Sequence, residues 1–157
     1  MSRIFVALAA VLLCASLGWS AKMAPSEVRW MDYSKALDTA KVTPKLILVS
    51  LYADWCIPCL VMEKTVYSDA SVVGLLNSRF YPVRLNAESQ DSIICDGHKK
   101  TVNRCFFDVW ELNALPAFVL VAPKGMSILT VVDSMSPDEM QLLLYQFIEK
   151  QKEWFER

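Results

Sequence analysis

Apolar residues follow two rhythms along this chain, and the changes between them mark its elements. From Asp32 to Lys41, Tyr33, Ala36, Leu37 and Ala40 recur at helical spacing, with Asp32 or Ser34 placed to cap the start. Thr43-Pro44 ends that helix. Lys45 to Tyr52 is then an almost unbroken apolar run, the pattern of a strand covered on both faces. After Cys56-Ile57-Pro58-Cys59 a helix-like run begins at Leu60 and reaches about Val66. Ser68-Asp69 caps a second helical stretch carrying Val72, Val73, Leu75 and Leu76. Phe80 to Asn86 alternates Tyr81, Val83 and Leu85 and reads as a strand.

Beyond it, Ala87 to Lys100 is polar and reads as a loop, and Val102 to Leu112 returns to helical spacing. Phe106, Phe107 and Trp110 in that stretch are expected in the core. Ala117 to Ala122 and Ser127 to Val132 read as strands joined by the turn Pro123-Lys124-Gly125. Ser136-Pro137-Asp138-Glu139 starts a last helix, whose core face carries Met140, Leu143, Leu144, Phe147, Ile148 and Phe155. With Val28 to Trp30 as a short strand or edge, the order is β-α-β-α-β-α-β-β-α. It predicts an α/β fold: a central mixed sheet, parallel where strands alternate with helices, with helices on both faces.

Composition narrows the function classes. The chain is 157 residues long, 54% apolar and 21% charged, so one domain with a sizeable core is expected rather than disorder. Residues 1–20 read as a secretory signal, with Arg3, an apolar core from Ile4 to Leu17, and small residues in Gly18-Trp19-Ser20. An uncleaved membrane anchor is the alternative. Cys14 as a lipid attachment point is disfavoured by the large Leu13 before it. Residues 21–29 form a lead-in, and 30–157 form the folded domain. Arg3 is the only charge among the first twenty residues. Without them, 16 basic residues become 15 against 17 acidic, a net −2, which is too neutral for a nucleic-acid footprint.

The candidate chemistry lies in Trp55-Cys56-Ile57-Pro58-Cys59, between the buried strand and the following helix. Strand, Cys-x-x-Cys, helix is the setting of redox-active thiols. Unpaired N–H groups and the partial positive charge of a helix start favour a thiolate on Cys56, which makes that sulfur a nucleophile near neutral pH. Cys59, one turn on, is placed to resolve a mixed disulfide, and Pro58 costs little in the first turn. A structural disulfide is the plain alternative. A zinc site needs four ligands, and no second Cys-x-x-Cys exists. Removal of Cys14 with the signal leaves Cys56, Cys59, Cys95 and Cys105, an even number that favours pairing in an oxidising compartment. Cys95 and Cys105 read as a structural disulfide. A second redox pair, or a metal site with His98 between them, stay open. Lys99-Lys100 reads as a solvated turn.

The segment Ala53-Asp54-Trp55-Cys56-Ile57-Pro58-Cys59, with Leu115-Pro116 before a later strand, resembles the thioredoxin family. Leu51 to Cys56, continued by Glu63-Lys64 and Ser68-Asp69, is most similar to the C-terminal thioredoxin-like domain of the thiol:disulfide interchange protein DsbD. The resemblance covers about Trp30 to Lys150. It implies a thioredoxin fold and a thiol–disulfide oxidoreductase, with Cys56 attacking and Cys59 resolving. It also implies a cis peptide at Pro116, backbone groups of Leu115 offered to a substrate strand, and Trp55 beside the active site. Glu63 matches an acid that tunes the cysteines, with a solvated helix face as its plain alternative. The implied enzyme needs no cofactor or resident metal. It acts as a monomer on protein thiols and disulfides in the periplasm, and draws electrons from a membrane transporter of DsbD type. Proline next to Cys59 inclines the reading to a reductase. An oxidase or isomerase, or a module that holds Cu(I) between Cys56 and Cys59, are the alternatives. The chain also departs from the family. Ser50 stands where many members have a buried aspartate, Ala117 replaces a common threonine, Asp133-Ser134 stands where a glycine is frequent, and the connection from Ala87 to Thr101 is long.

Overall fold

The computed structural model describes residues 27–155; the signal-like segment, with Cys14, lies outside them. The elements are α1 (Tyr33–Val42), β1 (Leu46–Tyr52), α2 (Ile57–Thr65), α3 (Ala70–Arg79), β2 (Phe80–Asn86), β3 (Ser92–Cys95), β4 (His98–Thr101), the single turn α4 (Val102–Arg104), a π-helical turn (Cys105–Val109), β5 (Ala117–Val121), β6 (Ser127–Val132) and α5 (Pro137–Phe155). Four strands form the main sheet in the order β2-β1-β5-β6, and β3 and β4 form a separate hairpin. β1 runs parallel to β2 and antiparallel to β5, and β5 runs antiparallel to β6. This is the thioredoxin fold, a mixed sheet covered on both faces.

The two central strands show why the apolar run of β1 was needed. Successive side chains of a strand point to opposite faces. Ile47, Val49 and Leu51 of β1, with Val119 and Val121 of β5, pack against α1 and the segment that follows β2. Leu46 and Leu48, with Phe118 and Leu120, pack on the other face against α2, α3 and α5. Both faces are dry, so every position from Leu46 to Leu51 is buried.

Helix ends follow local chemistry. The Asp32 carboxylate accepts from the Lys35 N–H, which selects it over Ser34 as the cap of α1. Asp69 accepts from Ser71 N–H and Val72 N–H at the start of α3. Ser136 and Glu139 bond reciprocally at the start of α5, a capping box. Gly125, at φ 94°, closes the β5–β6 turn, where its N–H donates to the Ala122 carbonyl.

Three expectations need correction. Val28 to Trp30 is not a strand. Only an isolated bridge from Met31 to Val83 touches β2, although Val28 is buried and Trp30 packs edge-on against Tyr67 at 5.0 Å. The polar stretch from Ala87 to Lys100 contains all of the β3–β4 hairpin except Thr101, rather than being all loop. Its tip is Asp96-Gly97, with φ 47° and 80°, the two positive values a tight two-residue turn needs. The helical spacing from Val102 to Leu112 yields one α turn and then a π turn, closed by the Trp110 N–H to the Cys105 carbonyl at 2.9 Å. On α5 the buried positions are Met140, Leu144, Phe147 and Trp154, and Leu143, Ile148 and Phe155 are only partly covered.

Leu48 is wholly enclosed at the centre of the sheet. Leu48→Ala is expected to lower the unfolding free energy by roughly 2–5 kcal/mol, read from the midpoint shift in urea at unchanged slope.

Candidate active site

The register of the two central strands assembles the site. Leu51 pairs with Ala117, so the end of β1 and the start of β5 meet at one edge of the sheet. The chain leaving β1 turns through Ala53 to Trp55 and enters α2 at Cys56. The chain entering β5 arrives through Leu115-Pro116, whose peptide bond is cis. Ligands in open α/β sheets gather at this carboxyl edge of the strands.

Cys56 is the N-cap of α2, and its sulfur accepts from the Cys59 N–H at 3.3 Å. A helix start with one N–H already aimed at the sulfur is the environment that stabilises a thiolate. Cys56 and Cys59 are joined as a disulfide, with Cα atoms 5.3 Å apart. Pro58 sits in the first turn, where its lack of an N–H leaves no bond unmade. Ala53, Tyr52 and Leu115 pack around the two sulfurs. Trp55 stands beside them, 65% exposed, its indole N–H donating to the Glu88 carboxylate at 3.0 Å.

Beneath Cys59 lies a small cavity of about 10 Å³, bordered by Ser50, Met62, Tyr67, Arg84 and Pro116. Ser50 is only 4% exposed and shares a 2.7 Å hydrogen bond with the Tyr67 hydroxyl. Burial pushes the Tyr67 phenol up to about 12, against the lowering effect of that bond. The pair is therefore neutral at any physiological pH. Arg84 is the strand neighbour of Ser50, and its guanidinium lies 4.1 Å from the centre of the Tyr52 ring. It also pairs with Glu63 of α2, as close ions rather than an aligned hydrogen bond. Glu63 is thus not a purely solvated residue, since it is paired with Arg84. Tyr67 and Arg84 are site residues that sequence reasoning missed. Their signal was the pairing of β1 with β2 and the length of α2, which together aim both at Ser50.

Cys95 and Cys105 form a second disulfide, with Cα atoms 6.1 Å apart and both residues fully buried. The bond ties the hairpin to the first residue of the π turn. His98 is exposed, and its carbonyl lies 3.6 Å from the Cys95 sulfur. Among the described residues, no three His, Cys, Asp or Glu side chains gather as a metal site. Phe106 is core, at 4% exposure, but Phe107 is not. It is 53% exposed, which corrects its placement in the core.

Comparison with known proteins agrees with this architecture. The thioredoxin-like family profile matches residues 29–123. The chain belongs to that family, and its paired Cys56 and Cys59 at the start of α2 make it a thiol–disulfide oxidoreductase. Among individual proteins, it is similar to the thiol:disulfide interchange protein DsbD of Pseudomonas fluorescens, 44% identical over 41 residues. That match takes in 26% of this chain and 7% of DsbD. The chain spans only 7–14% of the length of the DsbD relatives it matches. A thioredoxin from Thermus thermophilus shares the fold, with a TM-score of 0.63 at 23% identity, over 80% of this chain and 90% of that one. So does the reduced C-terminal domain of Neisseria meningitidis DsbD, with a TM-score of 0.53 at 21% identity, over 72% of this chain and 91% of that one.

Tyr67 yields a test at high pH. Its folded pKa lies above the ordinary 10, so the protonated phenol favours the folded state. That contribution is complete below pH 10 and is lost as pH rises toward 12, on the order of 2 kcal/mol. Comparing denaturant unfolding at pH 9 and pH 11.5, Tyr67→Phe should lose less stability over this interval than the parent protein.

Proposed function

We propose that this protein is an exported disulfide reductase that uses Cys56 as nucleophile and Cys59 as resolving thiol. One observation carries the reading: the first sulfur caps a helix at the edge where β1 and β5 end, with the second one turn behind it. In the reduced protein, the Cys56 thiolate attacks one sulfur of a substrate disulfide. A Cys56–substrate disulfide forms, and the other substrate sulfur leaves as a thiolate. Cys59 then loses its proton and attacks Cys56, which releases the second substrate thiolate and leaves Cys56–Cys59 oxidised. Two electrons pass to the substrate, and the protein needs a dithiol to restore it.

The direction rests on Pro58 beside Cys59, as in thioredoxin-like reductants. A membrane thiol transporter of DsbD type is the proposed electron donor, supported by the similarity to part of DsbD. Export to the periplasm rests on the signal-like pattern of residues 1–20. No helix among the described residues is long and apolar enough to cross a membrane. In this reading Leu115 and Pro116 present the backbone edge on which a substrate strand lies, Trp55 flanks it, and Cys95–Cys105 is structural.

Reduced protein is expected to cleave the interchain disulfides of insulin, followed as turbidity. Cys56→Ser should abolish that turnover, whereas Cys59→Ser should trap a mixed disulfide visible by mass spectrometry. Retained turnover in Cys56→Ser would remove Cys56 from its role. Replacing both Cys95 and Cys105 by alanine should leave turnover within about twofold while lowering stability by about 3 kcal/mol.

A further inference from the structure

The segment between β2 and β5 does more than connect two strands. The Cys95–Cys105 bond fastens its hairpin to the π turn, and that turn sends two consecutive aromatic rings to different destinations. Phe106 enters the core, while Phe107 faces outward, edge-on to Phe106 at 4.9 Å. Phe107, Asn103, Glu88, Trp55, Ala114 and Leu115 border an open cavity of about 200 Å³. Leu115 packs on the Cys56–Cys59 pair, and Trp55 precedes Cys56, so the cavity begins where the disulfide ends.

The donors of Trp55 and Asn103 on its wall are already engaged, which leaves the Asn113 side chain and one Glu88 carboxylate oxygen as its polar groups. The Trp55 indole N–H is taken by Glu88. The Asn103 side-chain amide donates to the Ala87 carbonyl at 3.1 Å, and its backbone N–H donates to the Ser89 carbonyl at 3.1 Å. The surface left facing the space is mainly ring and methyl. Such a space gains from an apolar occupant and offers few free partners to a polar one. A disulfide that reaches Cys56 must bring its neighbouring residues across Trp55 and Leu115, the two walls the cavity shares with the sulfurs.

Resting on the oxidoreductase reading, we propose that this cavity is a specificity pocket for a large apolar side chain flanking the reactive cysteine of a protein substrate, with Phe107 as its outer wall. The residue supplying that wall lies in the π turn that the Cys95–Cys105 bond ties to the hairpin. Burial of such a side chain is enough to raise the rate of reduction by on the order of tenfold.

The test uses pre-reduced protein in single turnover against three disulfides. Two are peptides joined to thionitrobenzoate, identical except for Phe or Ser beside the cysteine, and the third is glutathione disulfide. The parent protein should reduce the Phe peptide about tenfold faster than the Ser peptide. Phe107→Ser should bring the two peptides to one rate and leave glutathione disulfide unchanged, and Phe107→Leu should restore most of the preference. Equal rates for both peptides in the parent, or a preference that survives Phe107→Ser, would overturn the pocket alone. Failure to reduce any of the three would overturn the oxidoreductase reading and the pocket with it.

Discussion

The pairing of Leu51 with Ala117 is the constraint on which the site depends. It fixes where β1 ends relative to where β5 begins, and so brings the start of α2 against the Leu115-Pro116 corner. A shift of one residue would turn Ile47, Val49 and Leu51 away from one dry layer and into the other. Two cores of different shape, one built on Tyr33, Phe106 and Trp110 and the other on Phe80, Phe118 and Phe147, prevent that slip. The active edge is thus positioned by packing on both faces of the sheet, not by contacts among the active residues themselves.

The floor under the cysteines has an unusual balance of charge. Ser50 and Tyr67 satisfy each other, and burial keeps the phenol protonated, so this pair supplies no base. The charged groups nearby, Arg84 and Glu63, hold each other, with Arg84 also lying on the Tyr52 ring. A deprotonating Cys59 in the proposed cycle faces a cation across a cavity on the scale of one water. Position 50 itself offers no ionisable group to accept the proton of Cys59.

Much of this was legible in residue order. The continuous apolar run of β1, the alternation in β2, the caps at Asp69 and Ser136, and the Cys-x-x-Cys between strand and helix each carry a local physical signature. The segment from Ala87 to Leu112 was harder to read. Its hairpin signal, Asp96-Gly97, was present but sat among polar residues, and only Ile93 and Cys95 point inward. The π turn has no periodicity of its own. It is held by the disulfide to Cys95 and by the hydrogen bond of Trp110, both tertiary or ladder effects that neighbouring residues do not announce. Phe107 was misplaced because it is as apolar as Phe106, although the spacing of Phe106, Val109 and Trp110 leaves it off their shared face. Tyr67 and Arg84 became visible only through the pairing of strands 34 positions apart, as Ser50 with Arg84.

The central claim is that the start of α2 makes Cys56 an activated sulfur. The direct measurement is the rate of iodoacetamide alkylation of Cys56 in the reduced protein between pH 4 and pH 10, with the labelled residue identified by mass spectrometry. The predicted result is a titration midpoint well below that of free cysteine, about 8.5. A midpoint at or above that value, with no excess reactivity over Cys59 at neutral pH, would contradict the account.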